Sequence, residues 1–160
     1  MKIVASPSPE ASRAACIAIT ETISEWFGQS AANERYANEI GDCDCFLADD
    51  GSNIVGLIAL RYHYERTAEI WWLGVRRDLH RHGVGRALIA AATERAERAG
   101  CSMMVLETLS PEHPDPGYAK TRAFYRALGF SPLVRSARGT GGHPMMWMIR
   151  PVDGGGFNPL

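Results

Sequence analysis

Residues 68–88 decide the fold. They read Ala68-Glu69-Ile70-Trp71-Trp72-Leu73-Gly74-Val75, then Arg76-Arg77-Asp78-Leu79-His80-Arg81-His82, then Gly83-Val84-Gly85-Arg86-Ala87-Leu88. The first stretch is apolar and aromatic with one acid near its start, which predicts a strand. The last stretch opens a helix, with Val84, Leu88, Ala91 and Ala92 on its apolar face and Glu94 and Arg98 spaced i, i+4 on the wet side. Gly100 stops that helix, and Met103-Met104-Val105-Leu106 reads as the next strand. Strand, helix and strand of these lengths predict a right-handed parallel βαβ unit.

Toward the N-terminus the pattern is different. Lys2-Ile3-Val4 reads as a first strand, and Ser8-Pro9 as an N-cap followed by proline at N1. Cys16, Ile19, Ile23, Trp26 and Phe27 recur at helical spacing, with Gly28 closing the segment. A second helix is expected from about Ala31 to Ile40, capped by Ser30. Strands Cys45–Ala48 and Ile54–Leu60 flank the turn Asp49-Asp50-Gly51-Ser52, and the turn His63–Arg66 leads into Ala68–Val75, giving an antiparallel meander. Toward the C-terminus, Asp115-Pro116 starts a helix that ends near Leu128 with Gly129 as its C′ residue. Leu133-Val134 and Met145–Ile149 are the final strands, with the segment Arg138–Gly142 expected to be flexible. A single domain over residues 1–152 and a flexible tail over 153–160 are expected.

The 160 residues are 46% hydrophobic and 22% charged, within the globular range. The net charge of −1 hides an asymmetry: residues 1–60 carry three basic and nine acidic side chains, residues 61–160 fourteen and nine. Fifteen of the basic residues are arginine, so the later segment suits an anionic ligand, while the excess is too small for a dedicated nucleic-acid binder. The N-terminus has no apolar core of a secretory signal and no stretch approaches the roughly 18 apolar residues of a membrane span, which predicts a cytoplasmic protein with no membrane partner. Cys43-Asp44-Cys45 lacks the spacing of a zinc or thioredoxin-like site, and His80 and His82 have no third ligand in sequence reach, so no metal is expected.

The glycines of Gly83-Val84-Gly85 let backbone approach a bulky anion at a helix start, where free N–H groups carry about half a positive charge. Diphosphate is the natural guest. A dinucleotide fingerprint is disfavoured, because Leu88 stands where its third glycine belongs and seven residues separate Val75 from Gly83.

Ala68–Val75, Gly83-Val84-Gly85, and Thr121-Arg122-Ala123-Phe124-Tyr125 to Leu128-Gly129-Phe130, in this order and spacing, resemble the GCN5-related N-acetyltransferases over about residues 1–150. The resemblance implies an α/β (α+β) fold: a mixed, mostly antiparallel sheet with a central parallel pair of splayed strands, flanked by helices. It implies transfer of acetyl from acetyl-CoA to an amine. Arg81, His82, Gly83, Val84, Gly85 and Arg86 would hold the coenzyme phosphates, and Leu73, Gly74 and Val75 the pantetheine arm through backbone groups. Tyr125 matches the family's tyrosine near the coenzyme sulfur and is the candidate general acid. Glu69 is the candidate base; burial in a hydrophobic strand would raise its pKa, and a strand-end carboxylate exposed beside Arg66 or Arg61 is the alternative. Two positions depart from the family: His80 stands where Gln or Arg is usual, and Tyr118 or Ala119 where an Asn is frequent.

The expected acceptor is a small-molecule amine, with the acidic residues before position 61 suiting a cation. Its pocket would be built by the first two helices, the turn His63–Arg66 and the loop Ser110–Gly117. A non-catalytic acyl-CoA sensor, or an enzyme acting on a protein or aminoacyl-tRNA amine, are the alternatives. The resemblance also makes a homodimer an expectation.

Overall fold

Ser8 accepts a hydrogen bond from the Ala11 N–H through its Oγ at 3.2 Å, and Pro9 occupies the first helical position, so the first helix starts where its cap dictates. The computed structural model describes residues 1–136 and 142–153. Along these residues run β1 (Lys2–Ala5), α1 (Pro9–Thr22), α2 (Ser30–Glu39), β2 (Asp44–Asp49), β3 (Ile54–His63) and β4 (Thr67–Val75). They are followed by α3 (Val84–Arg98), β5 (Met103–Leu109), α4 (Pro116–Ala127), β6 (Ser131–Ser136) and β7 (Met145–Pro151). The described strands form one sheet in the order β1-β2-β3-β4-β5-β7-β6, mostly antiparallel with β4 and β5 as the parallel pair. Of the segment Arg138–Gly142 expected to be flexible, residues 138–141 lie outside the described residues, as does the tail after Asp153.

The chain divides into two compact units: Met1–Arg61 with Ile70–Arg95, and Tyr62–Glu69 with the chain from Ala96 onward. In the first, Ala15, Cys16, Ile19 and Ile23 from the α1 side bury against Ile40, Cys45, Leu47, Leu57, Ala59 and Trp72. Asp50 closes the β2–β3 turn by accepting the N–H groups of Ser52 and Asn53, both at 2.8 Å, and Gly51 supplies the positive φ of +100°.

In the second unit β5 and β7 pair antiparallel, with Leu106 opposite Met148 and Thr108 opposite Met146. Met104, Leu106, Met146 and Met148 are buried, as are Phe130 and Val152. The start of β4 joins this unit through the Arg66 carbonyl, which accepts from Ser102 and Met103 at 2.9 and 3.2 Å. Asp115 caps α4 by accepting from the Gly117 N–H at 2.7 Å, and Gly129 follows the helix with φ +86°.

Two expectations are corrected. The first helix ends at Thr22 rather than at Gly28: the Thr22 hydroxyl donates to the Ile19 carbonyl at 2.8 Å and the Ile23 N–H turns back to Thr20. Trp26 and Phe27 still pack on the core, from a turn. The second helix begins at Ser30 itself, with Gln29 as N-cap and no side-chain capping bond. Burial alternates along β4, with Glu69, Trp71 and Leu73 half-buried and Ile70, Trp72 and Gly74 buried; Trp72 lies 5.4 Å from Phe27 and Trp71 lies 5.3 Å from Tyr36.

Candidate active site

The glycine loop is built from the end of β4. The Arg76 N–H donates to the Val55 carbonyl at 2.9 Å, and a 3-10 turn follows at Arg77–Leu79. His80 Nε2 donates to the Val75 carbonyl at 2.8 Å and its ring meets Trp26 edge-on at 5.4 Å. The side chain at the position that departs from the family pattern is thus engaged by the strand end. His82 Nδ1 donates to the His80 carbonyl at 2.9 Å. Arg81 and Gly83 both take positive φ, +67° and +84°, which swings the backbone sharply into α3. The first bond of the helix runs from the Ala87 N–H to the Gly83 carbonyl at 3.0 Å. The N–H groups of Val84, Gly85 and Arg86 precede it and have no intrahelical acceptor.

The charge of this loop is less free than its sequence suggests. Arg76 binds Asp78 through two nitrogens at 3.1 and 2.9 Å, and Arg77 pairs with Glu25 at 2.7 Å. Among the described residues Arg81 and Arg86 have no ion-pair partner, and both are exposed beside Gly83, where a Cβ would meet nothing within 4 Å. Three backbone donors, two open cations and an uncrowded turn fit a diphosphate in size and sign.

On β4, Leu73 and Val75 are half-buried and Gly74 is buried. A Cβ at Gly74 would stand 2.3 Å from the Trp72 ring and 3.1 Å from Ile19. The missing side chain makes room for the indole of Trp72, which the sequence reading had not anticipated. Arg61 stacks over Trp71 with its guanidinium carbon 3.8 Å from the ring centroid, and Glu39 pairs with Arg61 at 2.8 Å and Arg35 at 3.3 Å. The Arg61 hydrogen bond holds the Glu39 carboxyl below its ordinary range.

The second unit holds the two candidate catalytic residues. Tyr125 is 8% exposed on α4, with Phe130 at 5.8 Å and Phe124 at 5.3 Å between ring centroids. Burial, with a smaller effect of Tyr118, pushes its phenol well above the usual tyrosine range, so it stays protonated at any working pH. One turn earlier, Arg122 is also buried, and its Nη1 donates to the carbonyls of Leu109 at 2.9 Å and Ser110 at 3.3 Å. It ties α4 to the end of β5. The Ser110 N–H donates to the Pro144 carbonyl at 2.9 Å, and the Ser110 hydroxyl donates to Glu112.

Glu69 has its carboxylate beside His63, with Oε2 2.5 Å from Nε2. Neither Arg61 nor Arg66, the neighbours of the exposed alternative, pairs with it among the described residues. His63 and Arg122 are the residues that sequence reasoning missed as members of the site. For His63 the signal was there: residues six apart across a three-residue turn sit diagonally on paired strands. For Arg122 none was, since a helical arginine beside Phe124 reads as a wet-face residue.

Among the described residues no group of three or more His, Cys, Asp or Glu side chains is placed to hold a metal ion, and no helix is long and apolar enough to cross a membrane.

The sequence matches the Acetyltransferase (GNAT) family over residues 15–130. The chain belongs to that family and is an acyltransferase. Solved structures share the fold. An aminoglycoside 6'-N-acetyltransferase complexed with coenzyme A is 17% identical with a TM-score of 0.74, covering 95% of this chain and 97% of that one. The ribosomal-protein-S18-alanine N-acetyltransferase from Escherichia coli is 19% identical at 0.73, covering 99% and 98%. Ard1 from Thermoplasma volcanium is 19% identical at 0.71, covering 94% and 96%. No curated protein matches the sequence.

Proposed function

We propose that the protein is an acetyl-CoA-dependent N-acetyltransferase that acetylates a primary amine, of a small molecule, by direct attack in a ternary complex. The observation that carries this reading is the Gly83–Arg86 helix start, with unpaired N–H groups and the open cations Arg81 and Arg86. In it, Arg81, His82, Gly83, Val84, Gly85 and Arg86 bind the diphosphate, and Leu73, Gly74 and Val75 hold the pantetheine arm through backbone groups. Tyr125 protonates the departing thiolate, a role suited to a phenol that burial keeps neutral. Glu69 belongs to the group that receives the acceptor's proton. An aminoglycoside and a ribosomal-protein alanine are the acceptors named for structural neighbours. The excess of acids before position 61 favours a cationic amine here. Four free thiols fit a cytoplasmic setting.

The test is release of free coenzyme A thiol against a panel of primary amines: polyamines, aminoglycosides and alanine-terminated peptides. Turnover of a small amine above the peptides supports the reading; peptide-only turnover reassigns the acceptor to protein. Tight binding of acetyl-CoA without turnover of any amine defeats the catalytic assignment.

A further inference from the structure

We propose that His63 is the group that takes the acceptor's proton and that Glu69 works behind it; this rests on the reading of the chain as an amine acetyltransferase. The turn after His63 brings the end of β3 back along the start of β4, and His63 Nε2 meets Glu69 Oε2 at 2.5 Å. The two side chains differ in exposure: Glu69 is 12% exposed and His63 is 47% exposed. An ionised carboxylate only accepts hydrogen bonds, so Nε2 carries the hydrogen and the neutral ring keeps its lone pair on Nδ1. Nδ1 has no hydrogen-bond partner among the described residues. A covered carboxylate that fixes the tautomer of an accessible imidazole, and balances its charge once protonated, is the arrangement of a general base.

The surroundings leave that role to the pair. Glu65 and Arg66 belong to the adjoining turn, and Arg61 on β3 is held by Glu39. No other ion pair reaches His63 or Glu69 among the described residues.

The protons balance. The acceptor ammonium gives one proton to Nδ1, and the half-exposed imidazolium passes it to water. The freed lone pair forms the N–C bond at the thioester carbonyl, the C–S bond breaks, and the sulfur takes the Tyr125 proton. The second surplus proton of the nitrogen restores Tyr125, so one proton leaves per acetyl group transferred.

The experiment uses His63→Ala, Glu69→Gln and the double variant with whichever of putrescine, kanamycin or an alanine-terminated peptide the unaltered enzyme acetylates fastest. His63→Ala is expected to lower kcat about 10²-fold with the KM for acetyl-CoA and the melting temperature unchanged. The double variant should lose no more than the worse single one, and added imidazole should restore activity to His63→Ala alone. Full kcat in His63→Ala with a fall in Glu69→Gln overturns the proposal and leaves Glu69 as the base of an intact acetyltransferase. Additive losses without imidazole rescue overturn it as well. An unaltered enzyme that releases no thiol with any of the three amines defeats the acetyltransferase reading itself.

Discussion

The unit formed by Met1–Arg61 and Ile70–Arg95 presents backbone N–H groups at Val84, Gly85 and Arg86, whereas the unit of Tyr62–Glu69 and the chain from Ala96 presents a buried phenol, a buried guanidinium and an imidazole–carboxylate pair. Binding candidates fall in the first and proton-moving candidates in the second. Backbone donors survive most changes of side chain, which is why His80 can serve the strand end without removing the donors of the proposed phosphate site. Side-chain chemistry has no such tolerance, because one atom carries each role.

The comparison can be broken from either side. The largest effect is expected from Gly85→Glu, which sets bulk and negative charge at the helix start; calorimetric titration should show coenzyme A affinity reduced at least about 100-fold. Wild-type affinity there would remove the phosphate role from the loop. Tyr125→Phe should lower kcat by about 10²–10⁴-fold while leaving acetyl-CoA affinity intact, as read by steady-state kinetics beside the same titration. Equal turnover would make Tyr125 a packing residue.

Two smaller effects concern stability. Arg122→Met leaves the Leu109 and Ser110 carbonyls without their donor and should cost about 2–3 kcal/mol in chemical denaturation, with Arg122→Lys restoring part of it. No loss would mean that α4 is held to β5 by apolar contacts alone. Gly74→Ala should cost about 1–3 kcal/mol, because the new methyl collides with the Trp72 ring. Trp72→Leu in the same chain should recover some of that loss; an additive penalty would place the strain elsewhere.

Local chemistry is what the sequence made legible. The Ser8 and Asp115 caps, the Gly51 turn and the Gly129 stop depend on neighbours along the chain, and each stands where its residues put it. The strand–helix–strand unit was legible for the same reason, since Gly83 and Gly100 bracket a periodic segment. What escaped depends on distant partners. Ile23, Trp26 and Phe27 keep helical spacing beyond the helix, and only the hydroxyl of Thr22 and the tertiary packing of Phe27 on Trp72 stop it early. The loop arginines read as a block of free charge, yet Glu25, from the stretch between α1 and α2, neutralises Arg77. Glu69 was found as a lone acid in an apolar strand, while its histidine was not, because the hairpin that joins them becomes specific only with its register.

Trp26 stands edge-on to His80, whose ring holds the end of β4. Indole emission responds to the charge and orientation of an adjacent imidazole. The segment leading into Gly83 therefore carries an intrinsic optical probe, against which the proposed arrival of coenzyme at the loop can be tested in unlabelled enzyme.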